Sequence, residues 1–70
     1  MAVNYNKLWK LLIDKKMTKT NLRTVADLST ATLAKLGKGE TVSMEVMLRI
    51  CQVLHCDIAD IMNVVPKEEV

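Results

Sequence analysis

Apolar residues recur along this chain at spacings of three and four, which is the period of an amphipathic α-helix. In the stretch NKLWKLLIDKK, Leu8, Leu11 and Leu12 fall on one helical face, and lysines occupy much of the remainder. Trp9 and Ile13 broaden the apolar face. The pattern predicts a first helix that buries a leucine stripe.

Small polar residues mark the start of the next helices because their side-chain oxygens can accept from the first free N–H groups. Thr18 can cap a short second helix that ends near Asp27. Its buried residues would be Leu22 with Val25 or Ala26.

Ser29 can cap a third helix in the stretch STATLAKLGKGE. Leu33 and Leu36 would provide its inward contacts, and Gly37 and Gly39 would end it.

Ser43 opens a fourth helix with two apolar stripes, so more than one of its sides should be buried. Asp57 can cap a last short helix from Ile58 to about Met62. No strand pattern, internal repeat or linker is found, and the predicted fold class is all-α with five helices. The two stripes of the fourth helix are Met47, Cys51 and Leu54, and Val46, Ile50 and Val53.

A chain of 70 residues is predicted to form a single domain over 1–70, because so short a chain cannot bury two cores. The folded part should span about 6–63, and the tail 66–70 should fray. Neither a long apolar run nor a signal peptide is found, which favours a cytoplasmic protein. The two cysteines, Cys51 and Cys56, are expected to be reduced thiols.

Charge is distributed unevenly along the chain. Residues 1–38 carry eight Lys and Arg against two Asp, a net charge of +6, and the rest carries two against six acidic residues, a net charge of −4. This asymmetry suggests that the first half faces a polyanion. The alternative is that these charges simply solvate helix surfaces.

The segment MTKTNLRTVADLSTATLAKLGKGE resembles the helix-turn-helix of the Cro/C1-type family of bacterial regulators, the phage repressor-like (XRE) family. It departs from the family pattern at Asp27, where Gly is commoner, and at Arg23, where many members have a small residue. Asp tolerates positive φ better than most residues, and Arg can extend its stem outward. Five residues occupy positions that the family keeps apolar: Leu22, Ala26, Leu28, Leu33 and Leu36.

The resemblance implies a lambda repressor-like DNA-binding fold in which the third helix enters the major groove of double-stranded DNA. Position by position, it implies base-edge contacts for Thr30, Ala31 and Lys35. It also implies a transcriptional regulator, with repression the favoured outcome, acting as a homodimer on two half-sites. The implied DNA-backbone contacts are those of Lys19, Ser29, Thr32 and Lys38, with Lys38 in the loop after the third helix.

Direct base readout should be sparse, because between Ser29 and Leu36 only Lys35 belongs to the bidentate base-reading residue types. The methyl groups of Thr30 and Ala31 suit thymine, so half-sites rich in A·T and a contribution from DNA shape are predicted. The alternative is an ordinary capped surface helix with a solvated Lys35.

Other chemistry is weakly indicated. Cys51, His55 and Cys56 could approach a metal, but a fourth ligand is not evident, and a buried cysteine with a helix-end histidine is the favoured interpretation. No catalytic residues, cofactor, metal or small-molecule substrate are predicted, and the protein is not expected to be an enzyme. Three methionines fall in step with the core residues and are interpreted as core: Met44, Met47 and Met62.

The apolar residues near the C-terminus exceed what so small a core needs, which suggests a dimer interface, or else a cover over Trp9 and the first helix. A second class of function also stays open, namely a protein-interaction module on the same fold, such as an antitoxin or a mobile-element accessory factor. The residues in excess of the core are the second stripe of the fourth helix (Val46, Ile50 and Val53) together with Ile58, Ile61, Met62, Val64 and Val65.

Overall fold

The computed structural model describes residues 2–66, which form four α-helices, one 3₁₀ turn and a two-stranded antiparallel sheet. The first four predicted helices are confirmed, whereas the tail residues 67–70, predicted to fray, lie outside the described part. In chain order the elements are β1 (Ala2–Asn4), α1 (Asn6–Asp14), α2 (Lys19–Val25), α3 (Thr30–Lys38), α4 (Met44–Leu54), the 3₁₀ turn (Ile58–Asp60) and β2 (Asn63–Val65).

Two parts of the fold prediction are wrong. The predicted fifth helix is only a short 3₁₀ turn, and two strands form where none was predicted. Only Ile58–Asp60 turn helically, and the chain is extended again from Asn63 because β2 pairs with β1. The register joins Ala2 to Val65, Val3 to Val64 and Asn4 to Asn63. The small sheet therefore ties the first described residues of the chain to the last.

One hydrophobic core lies between the four helices, and each helix contributes at least one buried side chain. Two residues predicted to lie inside are exposed instead, Ile13 and Met44, and of the alternatives Val25 and Ala26 it is Ala26 that is buried. The most completely enclosed side chains are Leu8, Leu22, Leu36, Ile50, Leu54 and Ile61.

The predicted helix caps at Thr18 and Ser43 are present. Thr18 Oγ1 accepts from the Asn21 N–H at 3.0 Å while Asn21 Oδ1 accepts from the Thr18 N–H at 3.1 Å, a reciprocal capping box. Ser43 Oγ accepts from the Val46 N–H at 3.2 Å. These local bonds fix where α2 and α4 begin.

Among the described residues 2–66, no helix has the length and apolar character needed to cross a bilayer.

The loop after α3 is held against the start of the chain. Gly39 ends α3 with a left-handed φ of 74°, and an added Cβ there would lie 3.2 Å from the Val3 carbonyl oxygen. The Tyr5 hydroxyl donates to the Glu40 carbonyl at 2.8 Å, and burial raises the pKa of this hydroxyl. Gly37, predicted to help end the helix, lies within it.

These two glycines give a matched pair of stability predictions. Gly39→Ala should lower the free energy of unfolding by about 1–2 kcal/mol, because a left-handed residue with a Cβ is strained. Gly37→Ala should raise it by about 0.5–1 kcal/mol, because alanine is the better helix former and its Cβ meets open space. Urea unfolding of both variants tests the pair, and effects of the same sign would contradict the assignment.

Candidate nucleic-acid interface

The turn between α2 and α3 is closed by a Schellman motif centred on Asp27. Asp27 adopts a left-handed φ of 57°, as its tolerance of positive φ allows. The Leu28 N–H donates to the Arg23 carbonyl at 2.9 Å and the Asp27 N–H to the Thr24 carbonyl at 3.4 Å, the two bonds that define the motif. Leu28 is buried, so the turn is anchored in the core.

Arg49 of α4 secures this turn from outside and was not predicted to have a role. Its Nη1 donates to the Asp27 carbonyl at 3.1 Å, and its Nη2 pairs with Glu45 at 2.9 Å. The ion pair is partly exposed and contributes little to stability by itself. Its effect is to orient the guanidinium toward the turn, and the spacing of four between Glu45 and Arg49 is the only sequence signal for it.

The first turn of α3 is capped by Ser29, as predicted. Ser29 Oγ accepts from the Thr32 N–H at 3.0 Å and donates to Thr32 Oγ1 at 3.0 Å. Thr30 and Ala31 are exposed, while Thr32 is partly buried. Helix geometry leaves the earliest N–H groups without acceptors, so this end of α3 presents donors and the positive end of a helix dipole.

The lysines of the predicted DNA-binding site lie on both α2 and α3. Lys35 and Lys38 are exposed in the last turn of α3, and Lys38 therefore belongs to the helix and not, as predicted, to the loop after it. The helix continues through Lys38 because Gly39 is the residue that takes the left-handed conformation. Lys19, the first residue of α2, holds its Nζ 4.4 Å from the centroid of the Trp9 ring, a cation–π contact.

The helix pair α2 and α3 is uniformly basic. It contains Lys19, Arg23, Lys35 and Lys38 but neither Asp nor Glu. The structure thus brings all seven predicted DNA-contacting residues onto one helix-turn-helix, six of them exposed. A surface of this composition favours an anionic partner.

The end of α4 carries the predicted thiol and imidazole groups. His55 is the helix-end residue, as favoured, with a left-handed φ of 55°. Cys51 and Cys56 are free thiols, each partly exposed. Within residues 2–66, no three His, Cys, Asp or Glu side chains are grouped so that they could hold a metal ion.

The environment of Cys56 makes it a poor nucleophile. Burial, reinforced by neighbouring Cys51 and the carboxylates of Asp60 and Asp57, raises its pKa to about 11. Since the thiolate is the reactive form, iodoacetamide should modify Cys56 roughly 100-fold more slowly at neutral pH in the folded protein than in urea. Mass spectrometry of the modified peptides measures this rate, and equal rates in the folded and unfolded protein would contradict the prediction.

Comparison with known proteins agrees with this geometry. Residues 7–67 match the family model of the Cro/C1-type HTH DNA-binding domain. The crystal structure of the transcriptional regulator VanUg, form II, superposes with a TM-score of 0.91 at 53% identity, covering 94% of this chain and 88% of that one. No curated protein sequence is significantly similar to this chain. The chain therefore belongs to the family of Cro/C1-type helix-turn-helix DNA-binding domains.

Proposed function

We propose that this protein binds duplex DNA sequence-specifically through α3 and represses transcription by occupying an operator. The observation that carries the proposal is the exposed first turn of α3, where Thr30 and Ala31 stand on a helix pair without acidic residues. The similarity to a transcriptional regulator supports it.

The base-edge contacts are assigned to Thr30, Ala31 and Lys35. Small side chains at the start of α3 allow its backbone to approach bases closely. Lys35, one turn later, is the one long side chain in this set that can hydrogen-bond to a base edge. The methyl groups of Thr30 and Ala31 and the ammonium group of Lys35 give little direct discrimination between base pairs. Operators rich in A·T, selected partly by DNA shape, are therefore expected, and a selection that returned G·C-rich half-sites would refute this.

The backbone contacts are assigned to Lys19, Ser29, Thr32 and Lys38. Because Ser29 donates to Thr32 Oγ1, the Thr32 hydroxyl hydrogen is left to donate to a phosphate. Contact with the Trp9 ring restricts the Lys19 side chain, so less conformational entropy is lost when its ammonium meets the DNA. Such contacts fix the register of the protein on the duplex without reading its sequence.

We further propose that the protein acts as a homodimer, because one helix-turn-helix reads only one half-site. Of the apolar residues predicted to form either an interface or a cover, Ile61 is buried and Ile58 and Met62 pack against the core. Val64 and Val65 are exposed. They, with the exposed Leu48 of α4, supply apolar surface for association, and light scattering that gave a monomer both alone and on the operator would refute the dimer.

In this proposal the protein acts by binding DNA and catalyses no reaction. It does so as one domain over residues 1–70, in the cytoplasm, where its DNA would be. A cofactor, a membrane or a small-molecule substrate has no part in this mechanism.

The salt dependence of binding tests the proposal directly. Phosphate contacts release counterions, so affinity should fall steeply with salt, and the slope of log K against log[salt] should become shallower by about one for each contact removed. Lys19→Glu and Lys38→Glu, which change the two lysines assigned to the DNA backbone, should each show this effect in fluorescence anisotropy with labelled duplex. Lys10→Glu, an equal charge change on the exposed surface of α1, is the control and should change the slope least.

Binding that is absent or insensitive to salt would refute the proposal. It would favour the second class, a protein-interaction module on the same fold.

A further inference from the structure

The peptide group between Asp27 and Leu28, at the end of the turn before α3, is held at both of its polar atoms. Its N–H, that of Leu28, donates to the Arg23 carbonyl at 2.9 Å. Its carbonyl, that of Asp27, accepts from Arg49 Nη1 of α4 at 3.1 Å. Rotation of this peptide would break both bonds and change ψ of Asp27 and φ of Leu28, so it would redirect the chain just before Ser29, the cap of α3.

The local interactions of the turn are weak without Arg49. Asp27 has a left-handed φ of 57°, a conformation that is unfavourable for a residue with a Cβ even though Asp tolerates it better than most. The second bond of the Schellman motif, from the Asp27 N–H to the Thr24 carbonyl, is long at 3.4 Å and therefore weak. The hydrogen bond from Arg49 thus adds a constraint that the turn itself does not supply.

Glu45 holds Arg49 in place for this contact. Its carboxylate pairs with Nη2 at 2.9 Å, and this leaves Nη1 directed at the turn. Both residues stand on α4, which is anchored in the core by Met47 and Ile50. The side chains of Arg49 and Glu45 are 41% and 75% exposed, so their ion pair contributes little to the stability of the whole domain. The effect of the pair is therefore local, on the position of the turn.

We propose that Arg49 is a positioning residue of the DNA-binding site, which sets the orientation of α3 through the Asp27 carbonyl, with Glu45 as its orienting partner. The inference rests on the proposed function, because the orientation of α3 affects binding only if α3 enters a groove. The short side chains of Thr30 and Ala31 reach base edges only when the backbone of α3 lies close to them. A small tilt of the helix therefore costs contacts that a longer side chain would keep.

The first test measures the affinity of Arg49 variants for a labelled duplex selected with the parent protein, well below the temperature of unfolding. Arg49→Gln should weaken binding about fivefold to tenfold, the value of one hydrogen bond to a charged group. Arg49→Lys keeps the charge but should lose a similar amount, because an ammonium cannot replace a guanidinium that holds two partners. Its salt slope should equal that of the parent, since no phosphate contact is removed.

The second test uses the sign of the effect at Glu45. If charge alone mattered, removing a carboxylate would strengthen binding to a polyanion. Glu45→Ala should instead weaken binding about twofold to threefold, because Arg49 loses its orienting partner. Asp14→Ala is the matched control, since it removes the same charge from an exposed position at the end of α1 and should bind as tightly as the parent or more tightly.

The third test needs no DNA. Amide hydrogen exchange at Leu28 should be faster in Arg49→Gln and in Glu45→Ala than in the parent, because the peptide before α3 opens more often. The N–H groups of α1 should exchange as they do in the parent. This result would show that the loss is local and that the domain as a whole keeps its stability.

Each failure has a distinct meaning. Unchanged affinity of Arg49→Gln, tighter binding by Glu45→Ala, or unchanged exchange at Leu28 would overturn the positioning role while leaving the proposed function intact. Parent-like binding by Arg49→Lys, with a salt slope shallower by about one in Arg49→Gln, would make Arg49 a direct phosphate contact instead. A parent protein that does not bind duplex DNA would refute the proposed function and this inference with it.

Discussion

Ala31→Glu is expected to abolish operator binding while leaving the protein folded. Ala31 is exposed in the first turn of α3, the part of the surface assigned to base edges. A carboxylate there would meet the phosphates and base acceptors of the duplex, and such like-charge contacts cost several kcal/mol. We expect a loss of affinity of about 100-fold or more, since each 1.4 kcal/mol is tenfold.

The same substitution should not harm the fold, because an acidic side chain near a helix N-terminus interacts favourably with the dipole by about 0.3–1 kcal/mol. Anisotropy with duplex DNA and thermal unfolding, measured on one preparation, separate the two effects. Gln52→Glu makes the same change of charge on the exposed surface of α4 and is the control. Equal affinities of the two variants for duplex DNA would contradict the assignment of α3 to the DNA interface.

The parts of the fold that could be predicted from the sequence depend on neighbouring residues. The caps at Thr18, Ser29 and Ser43 each bond an N–H three residues ahead, so the sequence around them contains the whole interaction. The leucines at helical spacing predict α1 and α3 for the same reason, since a helical face is a property of one continuous segment. Helix existence and the beginnings of α2, α3 and α4 were therefore accessible.

The missed features join residues that are far apart in the chain. β1 and β2 have only three residues each, too few to show an alternating pattern, and they pair across almost the whole chain. The Tyr5–Glu40 and Arg49–Asp27 hydrogen bonds are likewise contacts to backbone carbonyls, which carry no residue signature. The last helix was overpredicted because its capping residue was visible but the strand that follows was not.

Helical periodicity identifies the apolar face of a helix, but it does not show whether another element packs against that face. Met44 falls in step with the apolar residues of α4 but lies at its first turn and is exposed. For the candidate site, the sequence indicated the helix, and the structure leaves Thr30, Ala31 and Lys35 exposed, as the DNA hypothesis requires. Their individual contacts with bases stay predictions, because they depend on a duplex outside this chain.

The second large effect is expected from one pair of isoleucines. Ile50 of α4 is 0% exposed, whereas Ile13 near the end of α1 is 73% exposed. Ile50→Ala removes buried methyl and methylene groups and leaves a cavity, which typically costs about 2–5 kcal/mol. Ile13→Ala removes atoms that already face water and replaces a β-branched residue with the best helix former, so its effect should stay within about 0.5 kcal/mol.

For a chain of this size the loss at Ile50 is a large fraction of the total, since about 0.05–0.15 kcal/mol per residue is typical of folded proteins. At roughly 4–8 °C per kcal/mol, Ile50→Ala should lower the Tm by about 10–30 °C, while Ile13→Ala should leave it nearly unchanged. Thermal unfolding followed by circular dichroism, at one protein concentration, measures both. A similar Tm for the two variants would mean that α4 does not form the centre of the core, and the support that Arg49 and α4 give to the turn before α3 would lose its basis.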